Sequence, residues 1–407
     1  MATTDKRLDI SELDFDDIKT NLKTFLRNQT EFTDYDFEGS GMSSLLDLLS
    51  YNTHYLSMNA NLLANEMFID TASLRSSVVS HAKTLGYTPR SVRAPQATVD
   101  ITLNDTSVTT ATLARGTKFS TVVNDVTYNF LVNTARTKSR VDNVLTFDNV
   151  VLYEGSLITT RYTADSTNVD QRFIIPDSNA DTTTLTVSVQ NSSTDTTTTV
   201  FTLATDISQV SDTSNSYFLQ EIENGQFEVY FGDGVIGKAL TDNNIVILEY
   251  IVTNKSASNG ASTFTPPGSI SGSSDNSVAT VSTASGGAEA ENIQSIKLNA
   301  PLDYASQGRA VTTNDFKVIV PTLFANTQSV SVWGGEDNDP ASYGKVFISV
   351  KTTTGSDLTS TQKRNLESSL KSYVVSSIRP EVVDPEVISI RLTTTFKYNS
   401  TATTKTN

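Results

Sequence analysis

GGAEAENIQSIKLNAPLDYASQGRAVTTNDFKVIV, residues Gly286–Val320, is the stretch on which the reading of this chain turns. Glu289 and Glu291 precede Ile293 and Ile296, with Lys297 behind them, so acidic groups sit at the positive end of a short helix and a basic one near its negative end. Pro301 is expected to stop that helix. The Gly308-Arg309-Ala310-Val311 extension then leads to Thr312, three residues ahead of Asp315 and just before Phe316, Val318 and Ile319, which is the spacing of a capping box. Pro321 is expected to end the second helix.

Downstream the period is mixed. Strand-like Ser329–Trp333 and Lys345–Lys351 flank an acidic turn, GGEDNDP. A helix is expected from about Thr359 to Ser377, with Leu366, Leu370, Val374 and Ile378 on one face and Pro380 beyond, and a last strand over Val387–Tyr398. An α+β domain fits this order.

Upstream lies a long β-region. From about Ala94, Val99, Ile101 and Leu103 alternate with polar residues, and similar runs follow at Val126–Val132, Val144–Tyr153, Arg172–Ile175, Leu185–Val189, Val200–Leu203, Phe218–Ile222, Phe227–Phe231 and Ile245–Val252. Turn residues separate them at the spacing of a sandwich or open barrel. Ser192–Thr199 reads as a loop, and Ser256–Ala290 is so rich in Ser, Thr, Asn and Gly that it reads as an interdomain linker with room for one short strand.

The first ninety residues are helical in pattern. Leu13, Phe15, Ile18, Leu22, Phe25 and Leu26 recur at spacings of three and four, which makes one face of a first helix apolar. A second stretch, Met42 to about Met67, carries Leu45, Leu46, Leu48, Leu49, Tyr51, Tyr55, Leu56, Met58, Leu62 and Leu63, too many for a narrow stripe. A third runs from about Ala72 to Leu85, with Gly86 as its C-terminal cap and Pro89 beyond. These helices have two readings: Phe15, Ile18, Leu22 and Phe25 pack on the rest of the same segment, or the faces serve partner helices. A ninety-residue arm has too little bulk to cover every apolar face unaided, which favours an intermolecular bundle.

Bulk properties narrow the function. The 407 residues hold 30 Lys and Arg against 45 Asp and Glu, a net charge of −15, and such a field repels nucleic acid and anionic membrane. The chain lacks Cys, which removes disulfides and thiolate metal sites, and fits a protein made in a reducing cytoplasm. No apolar core of signal-peptide length opens the sequence, and no stretch approaches a membrane span, so the chain reads as soluble and not exported.

Among possible sites, FGDGVIGKAL, Phe231–Leu240, satisfies G-x-G-x-x-G after a strand. The next segment, Asn243-Asn244-Ile245-Val246-Ile247, is another strand rather than the helix a phosphate site needs, Ala239 lacks a magnesium-binding hydroxyl, and Asp233 is negative where phosphate would lie. A tight β-turn is the better reading. The acidic turn Gly334–Pro340 offers oxygen ligands of the kind calcium takes but lacks the spacing and terminal Glu of an EF-hand loop, so a solvated turn is the favoured reading. His54 and His81 read as packing or capping residues. No catalytic, cofactor or metal residue is assigned, and the chain is not read as an enzyme.

The order Gly-Gly-Ala acidic helix, Ala-Pro, Gly-Arg-Ala-Val-Thr, Asp-Phe within Gly286–Val320 resembles the baseplate-J family, the wedge proteins of contractile-tailed bacteriophages. Phe227–Leu240 looks like an element of the same family, and Phe37–Ser91 looks like the N-terminal portion of T-even-like wedge proteins. That resemblance implies a structural subunit that pairs with itself and with other wedge subunits, partly through a helical core bundle, in a ring around the tail hub. It implies no cofactor, nucleic acid, membrane or small-molecule substrate. It also implies a place in the virion tail baseplate after assembly in the host cytoplasm, and a change of ring diameter as the tail contracts.

The bundle contribution would fall on Phe15, Ile18, Leu22, Phe25, Leu45, Leu49, Tyr55 and Leu62. The competing reading of the Ser/Thr-rich β-region is a receptor-binding tail fibre or adhesin. The expected fold is multidomain α+β: a helical arm over 1–93, an all-β sandwich or open barrel over 94–265, a flexible linker over 266–285, and an α+β domain over 286–407 that is left open to continue past Asn407.

Overall fold

Asp14 starts the first helix: its carboxylate accepts hydrogen bonds from the Asp16 and Asp17 amides, at 2.8 and 3.3 Å, which satisfies donors that α1 (Phe15–Arg27) cannot pair internally. The structure is a computed structural model, which describes residues 14–386 apart from 30, 32–35, 37, 106, 142–144, 169, 205–209, 223–224, 325–326 and 353–356. Ser40 caps α2 (Gly41–Glu66) in the same way, accepting from Ser43 N. The N-cap of α3 (Arg75–Thr84), Leu74, has no capping side chain, and the Glu66 carboxylate accepts from the Ser73 and Leu74 amides instead. Gly86, in the left-handed region, follows the α3 C-cap as expected.

Two sheets come next, each with its own core. The first collects β1 (Gln96–Leu103), β3 (Lys118–Val123), β4 (Val126–Val132), β6 (Leu145–Glu154) and β14 (Asn276–Ser285) in the order β14-β1-β6-β4-β3. The short pair β2 (Thr110–Leu113) and β5 (Arg136–Ser139) lies beside it. Alternate residues Val99, Ile101 and Leu103 are fully buried, with Phe119, Phe130 and Leu152.

The second sheet collects β7 (Ser156–Thr163), β8 (Phe173–Ile175), β9 (Ala180–Gln190), β10 (Thr198–Leu203), β11 (Ser216–Glu221), β12 (Phe227–Phe231) and β13 (Ile245–Val252), in the order β7-β13-β9-β10-β11-β12-β8. Phe173, Val187, Phe201, Val229, Leu248 and Tyr250 fill its core, and Phe231 meets Phe173 and Phe201 edge to face at 5.6 and 5.2 Å. The all-β region expected over 94–265 is present, built as two sheets that each have a core of their own.

The expected flexible linker over 266–285 is corrected by β14, which runs antiparallel along the whole of β1 from Gln96↔Ser285 to Leu103↔Asn276. Its Ser, Thr, Val and Ala side chains bury little apolar area, but β-branched residues suit a strand, and the ladder holds it as an edge. Phe264, Ile270 and Ala284 are buried in the first sheet's core, so the stretch before and within β14 is part of that unit.

Gly286–Val320 holds α4 (Ile293–Ser306) and most of α5 (Thr313–Leu323). Thr312 makes the expected capping box with Asp315. Pro301 does not stop α4 and Pro321 does not stop α5; each lies inside its helix. Pro301 stands on an exposed side, where water can take over the carbonyl that it leaves without a donor.

Beyond α5, β15 (Thr327–Gly334), β16 (Lys345–Thr352), α6 (Ser360–Leu370) and β17 (Arg379–Val383) form an α+β unit, with β15-β16 antiparallel and β16-β17 parallel across α6. Phe316, Ile319, Ile348, Val350, Leu366 and Leu370 are its core. α6 ends at Leu370, before the expected Ser377, because Val374 turns back to bridge Ala310. The expected strand over Val387–Tyr398 lies outside the described residues.

Phe231–Leu240 is the tight turn that the sequence suggests. Asp233 Oδ1 accepts from Val235 N and Ile236 N at 2.9 and 3.0 Å, and these backbone donors hold its carboxyl below the usual range. The chain folds so closely on itself that a Cβ at Gly232 would lie 2.2 Å from the Ile236 carbonyl oxygen. Gly232→Ala should therefore open the turn and cost about 1–3 kcal/mol, read as a lower urea midpoint; an unchanged midpoint would mean that the turn relaxes freely.

Residues 87–95, between α3 and β1, are a seam tied on every side. Tyr87 Oη and Arg90 N donate to Glu291 Oε2 at 2.8 and 3.1 Å, while Ser295 Oγ and Asn299 Nδ2 donate to its other oxygen. Ala94 N donates to buried Asp181, and Glu154 N donates to Pro95 O. From α3, Arg75 clasps the buried carboxylate of Glu221 through Nε and Nη2 at 2.7 and 2.9 Å and donates Nη1 to the Glu291 carbonyl.

Candidate interaction surface

α2 is built inside out. Its buried positions are Ser43, Leu46, Ser50, Asn61 and Asn65, four of them polar, and they fall on one stripe of a 3.6-residue helix. The Ser43 and Ser50 hydroxyls find no hydrogen-bond partner among the described residues. On the opposite side Leu48, Leu56 and Leu63 are 63, 60 and 70% exposed. An amphipathic helix on a protein surface ordinarily turns its leucines inward, and α2 has the reverse arrangement among the described residues. Charge does not interrupt the band: α2 holds Asp47 and Glu66 and has no Lys or Arg.

α1 covers part of the stripe. Ile18 is buried, Phe15 and Leu22 are half-buried, and Lys19 Nζ reaches Asp47 Oδ1 at 2.7 Å. Of the eight residues named from the sequence, these three pack within the chain, whereas Phe25, Leu45, Leu49, Tyr55 and Leu62 are exposed. The sequence selection misses Leu48, Tyr51, Leu56, Met58, Leu63 and Phe68, which are equally open. Their signal is the excess of large apolar residues round the second helix, which a single chosen stripe cannot express. Tyr51 and Tyr55 meet edge to face at 4.7 Å, and the Tyr51 hydroxyl donates to that of Tyr55 at 3.1 Å, which fixes an amphipathic pair in the band.

The histidines take structural places: His81 Nε2 lies 2.9 Å from Glu66 O, at the end of α2, and His54 meets Tyr55 edge-on. Among the described residues no cluster of three or more His, Asp or Glu side chains is placed to hold a metal. No described helix is long and apolar enough to cross a membrane.

Residues 14–87, which hold α1, α2, α3 and the whole exposed band, match the family described as baseplate wedge protein gp6-like, helical domain. Residues 312–383 match the family described as baseplate structural protein gp6, C-terminal domain I. Both stretches are therefore similar to domains of gp6 wedge proteins. Baseplate wedge protein gp6 of Enterobacteria phage T4 is 30% identical over 411 residues, which cover 94% of this chain. The chain spans 60% of the length of that relative. A chain in the cryo-EM structure of the anti-feeding prophage baseplate, 6-fold symmetrised, is 11% identical, with 91% of this chain and 70% of that one covered at a TM-score of 0.32. The gp6-like helical match covers the stretch where exposed large apolar side chains are most densely placed among the described residues, and the second gp6-like match coincides with the separate core of α5, α6 and β15–β17.

Proposed function

We propose that this chain is a structural, non-catalytic subunit of a phage tail baseplate wedge, which builds with other wedge proteins the ring around the central hub and passes conformational change through that ring when the tail contracts. Its partners are other wedge subunits and a second copy of itself, and its place is the virion tail baseplate, reached after assembly in the host cytoplasm. The observation that carries this reading is the inverted α2, whose leucines face outward within residues 14–87. The likeness of Gly286–Val320 and Phe227–Leu240 to baseplate-J proteins belongs to the same reading.

A helix with this face gains stability by joining other helices, because each leucine removed from water contributes about 1.5–3 kcal/mol when fully covered. Co-expression with the other wedge subunits of the same phage tests it. A complex should elute on a sizing column with light scattering, and the amides of α2 should exchange more slowly in it than in the chain alone. A monomeric elution profile with unchanged α2 exchange would sink the reading.

A further inference from the structure

Gln307 and Gly308, directly after α4, both lie in the left-handed backbone region, at φ 50° and 67°, and both are exposed. The chain is buried on either side of them. Ser306 closes α4, and Ala310 is fully buried in the core of the C-terminal unit, where its N–H donates to Tyr373 O at 2.8 Å. The bonds in between are local. Gln307 N and Nε2 donate to Tyr304 O, Gly308 N to Ser306 Oγ, and Arg309 N to Ser306 O.

The two sides differ in what holds them. α4 buries Ile296 and Ala300 against Ala72, Val78, Val79 and Ala82 of the helical region, and Glu291 at its head is bound by Tyr87 and Arg90 of the seam. It therefore belongs with the helices and the two sheets. The C-terminal unit closes its ties internally: Lys345 to Glu381, Lys363 to Asp384, Glu367 to Val382 N. Across the joint the principal packing among the described elements is α4 against α5. Those two helices leave an open cleft of about 530 Å³, bordered by Leu302, Ala305, Arg309, Val311 and Asn314.

We infer that residues 307–309 are a hinge about which the C-terminal unit turns as one body against the rest of the chain, and that the α4–α5 cleft is the space it turns into. Hinges are a few element-terminal residues that absorb a change of φ and ψ while packed units on both sides stay intact. Gly308 meets this need, since it has no Cβ and nothing within 4 Å of where one would lie. The seam at residues 87–95 does not, because moving it would take donors away from two buried carboxylates, Asp181 and Glu291. The hinge follows from connectivity and burial in this chain and does not depend on the wedge reading.

The absence of native Cys lets spin labels be placed in pairs on the full chain. Val122→Cys with Tyr343→Cys spans the hinge, Val122→Cys with Leu298→Cys stays in the first body, and Tyr343→Cys with Lys371→Cys stays in the second; all four positions are exposed. In double electron–electron resonance the spanning pair should give a distance distribution at least twice as wide as either internal pair, and two glycines inserted after Gly308 should widen it further without changing the internal pairs. A spanning distribution no wider than the internal ones overturns the inference. So does a Tyr343–Lys371 pair as wide as the spanning one, or a spanning width that the insertion leaves unchanged.

Discussion

Leu48→Gln, Leu56→Gln and Leu63→Gln together should weaken association with partner helices by two to three orders of magnitude while leaving the unfolding of the isolated chain nearly unchanged. The three side chains point away from the buried stripe of α2 and are mostly in water in the free chain, so removing them costs the fold little. Gln is close to Leu in helix propensity, which keeps α2 itself intact. In a bundle the same side chains become buried. With part of the full 1.5–3 kcal/mol per leucine recovered, the three contribute on the order of 3–4 kcal/mol to binding, hence the factor expected. Leu46→Ala is the contrasting change: Leu46 is buried against the chain's own helices, and its loss should cost about 2–5 kcal/mol of stability. Titration calorimetry or a pull-down series against the co-expressed subunits, set beside denaturant unfolding of each variant, separates the two. If the triple variant binds as tightly as the parent, this face is not the interface.

The legibility of the fold in the sequence tracks the strength of its periodic signals. Val126–Val132, Phe227–Phe231 and Ile245–Val252 match their expected bounds because each is a dense apolar run between turn residues. β5 and β7 escape a sequence reading because they are polar and largely exposed, and β2 because its alternation, with Ala111 and Leu113 inward, runs for only four residues. β14 reads as a linker with room for one short strand for the same reason: its order comes from the ladder on β1, a partner about 180 residues earlier, and a local window does not fix where that strand runs.

The prolines mislead in the other direction. Pro301 and Pro321 are strong breakers as isolated signals, but the helices around them are held by Ile296 and Ala300 in one core and by Ile319 and Val320 in another. At the candidate surface, the excess of leucine in α2 is readable, and the identity of the inward stripe is not. Ser43, Ser50, Asn61 and Asn65 are the buried ones, with Asn65 O accepting from Thr71 in the turn after α2, and only the fold reveals that a polar stripe is the buried one.

The seam offers the second large effect, with a sign that depends on pH. In Arg75→Ala the Glu221 carboxylate, fully buried at the end of β11, loses the cation that clasps it, and breaking such a pair costs about 3–5 kcal/mol. Burial already raises the Glu221 carboxyl above its ordinary value, and the hydrogen bonds and charge of Arg75 work against that rise. Without Arg75 it rises further. A carboxyl raised in the folded state carries no penalty where it is protonated both folded and unfolded, and the penalty grows as pH climbs through the raised value. The deficit of Arg75→Ala relative to the parent should therefore be largest near pH 8 and shrink toward pH 5. Glu291 has the opposite sign: burial is outweighed by donors such as Ser295 and by the charge of Arg90, so its carboxyl sits low and its contribution fades only as pH falls. That contribution is present in both chains, so the difference between them reports Glu221. Adding Glu221→Gln to Arg75→Ala should restore much of the loss and flatten its pH dependence, as read by urea unfolding at both pH values. An equal deficit at pH 5 and pH 8 would assign Arg75 to packing of its aliphatic stem, and the helical region would then be joined to the second sheet by shape rather than by charge.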